Sequence, residues 1–439
     1  MSKLLIKNGT LVLANKTTKG DILVENGMIT QIGQLDNIKG AKVVDATNLH
    51  VFAGFIDMHV HLRDPGQEYK EDIASGARAA VRGGVTSVAC MPNTTPTLDI
   101  PSLVSYVKAR GKEVNQCKVY PIGAITKGQK DVELAEMGLM QKAGAVAFSD
   151  DGSHQDVIDN DCLAKSLCLA DARNSTSVLR SALEYAKSRK ALIIVHAEDK
   201  LLSDRGDVNE GYASTLSGLR PIPRVAEEIA ISQAIQLLKY YGDRIHIAHV
   251  STRGAVELIR QAKKQGLKVT AETCPHYFTL TDEAVLTFDT NTKMNPPLRT
   301  ADDVNAIIDG MKDGTIDCIA TDHAPHHIDD KQTEYSKAAF GIVGLETLFP
   351  ISYTALVKSG KFTLQELTKL LTHNSKKILN LENSGTLEIG SPADITIADL
   401  TRQYKIDKTK FASKARNTPF DGMQVHGEIK YTIVDGEIK

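Results

Sequence analysis

Short apolar runs alternate with amphipathic stretches through the middle of the chain, and this alternation predicts the fold. Eight of these runs have the length of a strand: residues 54–61, 86–91, 118–122, 145–148, 192–196, 245–250, 268–272 and 317–321. The stretches between them repeat apolar residues at helical spacing, as in Ile231, Ala234, Ile235 and Leu238. Such an α/β pattern is typical of a (β/α)8 TIM-like barrel, although an open, doubly wound sheet has the same order of elements.

The two ends of the chain have a different pattern. Short alternating segments bounded by turn formers occupy residues 4–6, 11–13, 21–25, 28–32, 42–45, 394–398 and 428–437. The pairs Asn8-Gly9 and Asn26-Gly27 predict hairpins, and Asp435-Gly436 predicts a turn. We therefore predict a small β domain formed by both termini, residues 1–52 and 385–439, with the barrel in residues 53–384.

Composition and charge exclude several classes of protein. The 439 residues carry 52 Lys plus Arg and 54 Asp plus Glu, and a net charge of -2 does not favour a nucleic-acid binder. No run approaches the roughly 18 apolar residues that span a bilayer. Lys7 and Asn8 interrupt the start of the chain before the apolar core of a signal peptide could form. We expect a cytoplasmic protein that binds neither nucleic acid nor membrane, with its six dispersed cysteines reduced.

Histidines and an aspartate stand at the ends of several predicted strands. His59 and His61 share one face of the first strand, because side chains in a strand alternate with a period of two. His196 ends the fifth strand, His249 ends the core of the sixth, and Asp322 follows the eighth. In a barrel these positions meet at the C-terminal mouth, where catalytic groups collect. Because imidazole and carboxylate groups are common zinc ligands, the pattern predicts a metal site.

A pair of carboxylates, Asp150 and Asp151, follows the fourth predicted strand. An Asp-Asp-Gly sequence is ordinary turn chemistry, so a helix cap or a turn is one interpretation. The other is a bridge, because the two oxygens of one carboxylate can bind two cations and offset their repulsion. We choose Asp151 as the candidate for the bridge.

Two longer motifs, residues 57–66 and residues 320–326, resemble the signatures of the dihydroorotase family in the amidohydrolase superfamily. Further motifs recur between them in the family's order, at residues 91–94, 148–152, 195–198, 248–251 and 295–299. The resemblance covers nearly the whole chain, including the divided terminal domain, and is to the longer, bacterial type I branch. The connection at residues 153–177 is longer than the family's. A lid, an oligomer contact and a solvated surface decoration are the three interpretations, and we favour the decoration.

The resemblance implies a zinc centre of one or two ions, and two are expected. The first pair of histidines and Asp322 would bind one ion, the second pair would bind the other, and Asp151 would bridge them. The implied ligands are His59, His61, Asp151, His196, His249 and Asp322. Many amidohydrolases bridge their ions with a carboxylated lysine, and Asp151 at the matching position makes that modification unnecessary.

The implied reaction is the reversible cyclisation of N-carbamoyl-L-aspartate to dihydroorotate in de novo pyrimidine biosynthesis. A zinc-activated hydroxide would attack the ring amide, and Asp322 would move the proton. The planar guanidinium of Arg63 can hold the substrate carboxylate through two parallel hydrogen bonds, although Arg63 can also be a structural ion-pair partner. Asn93 and His326 match family positions that contact the same carboxylate, and Asn295 is expected to contact the ring.

Two other functions remain open at this stage. Another cyclic amide hydrolase, a hydantoinase or an allantoinase, would share the metal site but not the substrate pocket. An inactive, dihydroorotase-like partner of aspartate transcarbamoylase would have lost metal ligands, whereas this chain has a suitable residue at every ligand position. We expect a small-molecule substrate and a homodimer, and association with aspartate transcarbamoylase stays open.

Overall fold

The computed structural model describes residues 3–151, 169–382 and 384–439. Its strands are β1 (Lys3–Val12), β2 (Thr17–Glu25), β3 (Met28–Gly33), β4 (Lys42–Asp45), β5 (His50–Ala53), β6 (Phe55–Val60), β7 (Val85–Cys90), β8 (Lys118–Gly123), β9 (Ala147–Phe148), β10 (Ile193–Val195), β11 (Val208–Asn209), β12 (Pro221–Ile222), β13 (Arg244–Ile247), β14 (Lys268–Thr273), β15 (Cys318–Ile319), β16 (Ile395–Lys405), β17 (Gln424–Val434) and β18 (Glu437–Ile438). Its α-helices are α1 (Ile73–Arg82), α2 (Pro101–Val114), α3 (Met137–Ala143), α4 (Leu169–Arg189), α5 (Lys200–Ser203), α6 (Tyr212–Ser217), α7 (Val225–Tyr241), α8 (Arg253–Lys264), α9 (Ala301–Lys312), α10 (Ile328–Lys331), α11 (Leu348–Ser352), α12 (Leu364–Leu371) and α13 (His373–Leu379).

Eight parallel strands form the barrel, in the order β6-β7-β8-β9-β10-β13-β14-β15. Val60, at the end of β6, forms a parallel bridge with His323, which follows β15. The N–H of His61 also donates to the carbonyl oxygen of His323 at 2.8 Å. These contacts join the two outer strands of the sheet, so the barrel is confirmed and the open sheet is excluded.

Apolar side chains cover both faces of the barrel strands. Ile194 packs inside the barrel with Met58, whereas its neighbour Ile193 belongs to the outer layer with Ile231 of α7 and Ile259 of α8. This alternation is the period of two expected for a strand. Because both faces are buried, the barrel strands appear in the sequence as nearly continuous apolar runs.

The two termini build the second sheet, in the order β18-β17-β16-β5-β1-β2-β3, with β4 paired to β1. The late strand β16 pairs antiparallel with the early strand β5, which joins the two ends of the chain. Residues from both ends, including Ile6, Ile22, Ile397 and Ile433, share one apolar core. The predicted sheet from both termini is therefore present, while its boundaries at residues 52 and 385 stay a prediction.

Two of the three predicted turns are confirmed. Asn26-Gly27 joins β2 to β3, and Asp435-Gly436 joins β17 to β18, with positive φ at all four residues. The hairpin predicted at Asn8-Gly9 is wrong, because this pair lies inside β1 at a shift of register. Asn8 adopts a φ of 62°, and its N–H donates to Asp21 Oδ1 at 2.7 Å. Asparagine tolerates this left-handed conformation, so the strand bulges and continues.

Residues 153–168 of the long connection predicted at residues 153–177 lie outside the described residues. From residue 169 the chain is helical, in α4, so the irregular segment ends earlier than the sequence pattern predicts. The four described cysteines, Cys90, Cys117, Cys274 and Cys318, are free and buried. None of the helices within the described ranges is long and apolar enough to cross a membrane.

Candidate metal centre

The C-terminal ends of the barrel strands bring all six predicted ligands together. Their donor atoms form two groups, and within each group the atoms lie within 4.8 Å of one another. The first group is His59, His61, Asp151 and Asp322, and the second is Asp151, His196 and His249. These side chains are buried except that of His196, which is 15% exposed. Six side chains from five different strand ends therefore share one site, with Asp151 common to both groups.

The two carboxylate oxygens of Asp151 face different histidine pairs. Oδ2 lies 2.6 Å from His59 Nε2 and 3.7 Å from His61 Nε2. Oδ1 lies 2.7 Å from His196 Nδ1 and 3.8 Å from His249 Nε2. A carboxylate that divides its oxygens in this way has the arrangement of a bridging ligand.

Asp322 stands on the side of the first histidine pair. Its Oδ1 lies 3.1 Å from His61 Nε2 and 3.4 Å from His59 Nε2. Its backbone has a φ of 50°, a conformation that aspartate tolerates better than most residues. Asp322 therefore faces the same nitrogens as Asp151 does, from a different strand end.

Hydrogen bonds at Nδ1 of His59 and His61 leave Nε2 of each ring as the atom that can bind a metal ion. His59 Nδ1 lies 2.6 Å from Glu272 Oε1, and His61 Nδ1 lies 2.7 Å from Asn93 Oδ1. Both partners are hydrogen-bond acceptors, so each Nδ1 carries a proton, and each Nε2, which faces the carboxylates, offers a lone pair to a metal ion once it is deprotonated. Lone pairs and carboxylate oxygens that face each other fit a divalent metal ion between them.

The charges around His59 lead to the same conclusion. Burial lowers the pKa of its imidazole, but the carboxylates of Glu272, Asp151 and Asp322 raise the pKa well above its usual value. Three buried carboxylates beside one imidazole require positive charge among them, because unpaired buried charge is costly. A proton or a metal ion can supply that charge.

The predicted substrate-binding residues lie around the same mouth. Arg63 is buried, with its Nη2 3.5 Å from His326 Nε2, and its Nε donates to the carbonyl oxygen of Pro325 at 3.3 Å. Burial lowers the pKa of His61, and the positive charge of Arg63 contributes to the lowering. The structure therefore places a guanidinium within electrostatic range of the first histidine pair, next to His326.

The two predicted asparagines contact the metal-centre residues. Asn93 accepts from His61, as described above, and Asn295 Nδ2 donates to both carboxylate oxygens of Glu198 at 3.3 Å. Glu198 Oε2 in turn lies 3.3 Å from His196 Nε2. Asn93 thus contacts a predicted metal ligand directly, whereas Asn295 is connected to one through Glu198. The contact of these amides with a substrate stays a prediction.

The chain is similar to known proteins over nearly its whole length. The model of the amidohydrolase family matches residues 50–439. A protein of Ruminiclostridium cellulolyticum named dihydroorotase is 50% identical over 437 residues, which are 99% of this chain and 97% of that protein. A second dihydroorotase, from Pelobacter propionicus, is 50% identical over 99% of both chains. The chain belongs to the dihydroorotase group of the amidohydrolase family.

The amidohydrolase fold also appears in the comparison with solved structures. L-hydantoinase from Arthrobacter aurescens superposes with a TM-score of 0.86 at 27% identity, over 100% of this chain and 96% of the hydantoinase. A barrel with a second sheet is therefore shared with an enzyme of a different name. The fold alone does not separate the two activities.

Sequence reasoning missed two carboxylates of this amidohydrolase that stand behind the histidines. Glu272 holds His59, and its other oxygen lies 3.2 Å from His246 Nε2. Glu198 holds His196, and although burial raises the pKa of Glu198, its bond with His196 contributes to lowering it to about 2. Glu272 lies at the end of β14, and Glu198 follows β10. The position at the end of a barrel strand, which identified the predicted metal ligands, could therefore have identified both carboxylates. His246, predicted to pack, is buried as expected but also hydrogen-bonded.

Proposed function

We propose that this protein catalyses the reversible cyclisation of N-carbamoyl-L-aspartate to dihydroorotate. Relatives named dihydroorotase at 50% identity over nearly the whole chain support the assignment. The observation that carries it is the buried Arg63 beside a centre in which Asp151 joins two histidine pairs. Opening a cyclic amide needs such a centre, and dihydroorotate adds a carboxylate that a guanidinium can bind.

Two zinc ions are the proposed cofactor. One would be held by His59, His61 and Asp322, the other by His196 and His249, with Asp151 shared between them. Nitrogen and carboxylate oxygen donors of this kind suit zinc. When bound, zinc supplies Lewis acidity, which lowers the pKa of water and polarises an amide carbonyl.

Asp322 is the proposed group that moves the proton. Burial raises its pKa, but the charge of His59 and the hydrogen bond with His61 lower the pKa below its usual value, so Asp322 is an ionised base at neutral pH. In the ring-opening direction its carboxylate takes the proton of the attacking water and delivers it to the departing ring nitrogen. In the cyclisation direction the same carboxylate takes the proton from the attacking nitrogen and delivers it to the oxygen that leaves the substrate's carboxyl carbon as water.

Arg63 and His326 are proposed to bind the substrate carboxylate, together with Asn93. Their proximity, 3.5 Å between Arg63 Nη2 and His326 Nε2, supports a shared contact with one anionic group. Asn295 is proposed to contact the ring from the side of His196. A fixed carboxylate orients the ring amide toward the metal centre, and such orientation accounts for a large part of enzymatic rate enhancement.

The structural likeness to L-hydantoinase supports a second candidate, hydrolysis of an uncharged cyclic amide. Arg63 at the mouth of the barrel disfavours it, because an uncharged ring has no carboxylate for the planar guanidinium to bind through two parallel hydrogen bonds. An inactive partner of aspartate transcarbamoylase is disfavoured because all six ligand positions are occupied by suitable residues. A homodimer, association with aspartate transcarbamoylase and a cytoplasmic location stay predictions.

A panel of substrates tests the proposal. The zinc-loaded protein is assayed on dihydroorotate, hydantoin, dihydrouracil and allantoin, and the Arg63→Ala variant is assayed beside it. We expect turnover of dihydroorotate to exceed that of the three uncharged rings, and the variant to lose this preference. Faster turnover of hydantoin or dihydrouracil would replace the proposal with the second candidate.

A further inference from the structure

A cleft of about 250 Å³ opens beside the mouth of the barrel. Its walls come from the loops after the first, seventh and eighth barrel strands and from residues 408–417. His326 lines the cleft, whereas none of the proposed metal ligands does. The cationic side chains that line it are Lys70, Lys331, Lys408, Lys414 and Arg416, and its lining contains no aspartate or glutamate. We call this site the basic cleft.

Three of the lysines have carboxylate partners outside the lining. Lys70 Nζ lies 3.3 Å from Asp330. Lys414 Nζ lies 2.6 Å from Asp72. Lys408 Nζ lies 3.5 Å from Asp421, and both of these side chains are more than a third exposed, so solvent weakens that pair.

The two remaining cations have neutral acceptors. Lys331 is buried, and its Nζ donates to the carbonyl oxygens of Ala339 at 2.7 Å and Gly341 at 3.0 Å. Arg416 Nη1 donates to the carbonyl oxygen of Ala415 at 2.8 Å. Within the described ranges, neither side chain has a carboxylate oxygen within 4.0 Å. Arg416 therefore carries a positive charge that no described carboxylate offsets directly, whereas burial lowers the pKa of Lys331 to about 7, so that its amine is only partly charged at neutral pH.

The positive field of the cleft extends to His326. Burial lowers the pKa of this imidazole to about 3, and the charges of Arg63, Lys70 and Lys331 contribute, although Asp330 acts against them. A cleft with one sign of charge and low-dielectric walls concentrates ions of the opposite sign. Because His326 Nε2 lies only 3.5 Å from Arg63 Nη2, a charge in the cleft also acts on the guanidinium proposed to bind substrate.

We propose that the basic cleft binds a small multivalent oxyanion of the phosphate class, and that its occupancy weakens substrate binding at Arg63. The coupling rests on the proposed function, since it requires Arg63 to hold the substrate carboxylate. Its direction follows from electrostatics, because a second anion near Arg63 repels the first. A cavity of this size takes a phosphate group with a small substituent more readily than a whole dinucleotide.

Calorimetric titration with inorganic phosphate tests the site directly. The protein is compared with the Lys408→Gln and Arg416→Gln single variants and with the double variant. Lys410→Gln is the matched control, because Lys410 is exposed, lies outside the cleft and pairs with Asp407 at 3.1 Å. We expect the double variant to bind phosphate about tenfold more weakly or worse, which corresponds to about 1.4 kcal/mol, and the control to bind normally. Adenosine monophosphate in the same titration tests whether the phosphate belongs to a nucleotide.

Absence of phosphate binding to the wild-type protein, or equal binding by the double variant, would overturn the site. The coupling is tested separately by the KM for dihydroorotate at increasing phosphate. We expect KM to rise with unchanged kcat in the wild type and to stay constant in the double variant. Constant KM despite cleft-dependent binding would reject the coupling. A protein inactive on dihydroorotate would reject the proposed function, and the calorimetric result would still decide the site.

Discussion

Glu272 Oε1 lies 2.6 Å from His59 Nδ1, and both side chains are buried behind the metal centre. The carboxylate fixes the ring so that Nε2 faces Asp151 and Asp322, and it increases the basicity of that nitrogen. Glu272 also contacts His246 at 3.2 Å, which holds the carboxylate from the other side. The arrangement makes Glu272 a positioning residue rather than a ligand.

Replacement of Glu272 with glutamine is expected to lower zinc affinity by about 10- to 100-fold while the fold is retained. The amide keeps the size and can still accept a hydrogen bond, but it loses the negative charge. Zinc affinity is measured by competition with a chelator, and Glu283→Gln, at an exposed position, is the control. Unchanged zinc affinity in the Glu272→Gln variant would show that Glu272 only fills space.

The Asp322→Asn variant is expected to keep its fold and its metal but to lose about 10² to 10⁴ in turnover. The amide preserves the shape of the side chain and an oxygen for the metal, but it cannot accept and return a proton. Turnover and zinc content are measured on the same preparation. Near wild-type turnover would reject the proton-transfer role, and loss of zinc would show that the side chain acts mainly as a ligand.

Substitution of Arg63 with lysine is expected to raise the KM for dihydroorotate although the charge is conserved. An ammonium group cannot reproduce the two parallel hydrogen bonds of the planar guanidinium. KM and kcat for dihydroorotate are compared with those for an uncharged cyclic imide. An equal loss on both substrates would mean that Arg63 supports the metal centre or the fold instead.

Lys331 gives a prediction about pH and stability. Burial lowers the pKa of this lysine from 10.5 to about 7. Between these values the unfolded chain binds one more proton than the folded chain, so the free energy of unfolding rises with pH in this window. Relative to a Lys331→Met variant, wild-type stability should increase by about 1.4 kcal/mol per pH unit. Denaturant unfolding at pH 7.5, 8.5 and 9.5 measures the difference, and parallel curves for the two proteins would contradict it.

The sequence predicts the barrel, and the gathering of the six proposed ligands at its mouth, for a physical reason. Strands buried on both faces appear as apolar runs, and a barrel gathers the ends of those runs at one mouth. His59 and Asp322 could therefore be assigned to one site although they are far apart in the chain. Asp150 and Asp151 could not be separated by pattern alone, because both follow the same strand.

The parts that the sequence did not predict depend on contacts between distant residues. Glu272 and His59 are 213 positions apart, and nothing local to Glu272 indicates its partner. The basic cleft is assembled from four separate segments, so no single segment has an unusual charge. The pair Asn8-Gly9 is typical of a hairpin turn but forms a bulge here. Only the pairing of β1 with β2 on both sides of this pair distinguishes the bulge from a hairpin.

The neighbouring aspartates offer a matched pair of variants for the bridge. Asp150 Oδ1 accepts from the N–H of Ile125 at 2.8 Å, and its Oδ2 accepts from the hydroxyl of Thr126 at 2.6 Å. This side chain therefore organises a loop, whereas Asp151 faces both histidine pairs. The Asp150→Ala variant controls for the loss of a carboxylate at this strand end without loss of the bridge.

The zinc content of the two variants, after reconstitution in carbon-dioxide-free buffer, tests whether Asp151 is the carboxylate that bridges two metal ions. A bridge that is already a carboxylate needs no carbon dioxide, unlike a carboxylated lysine. We expect two zinc ions per chain in the wild type and in Asp150→Ala, and loss of the second ion together with most of the activity in Asp151→Ala. Two zinc ions in Asp151→Ala, or a wild-type protein that binds its second ion only when bicarbonate is added, would contradict this assignment.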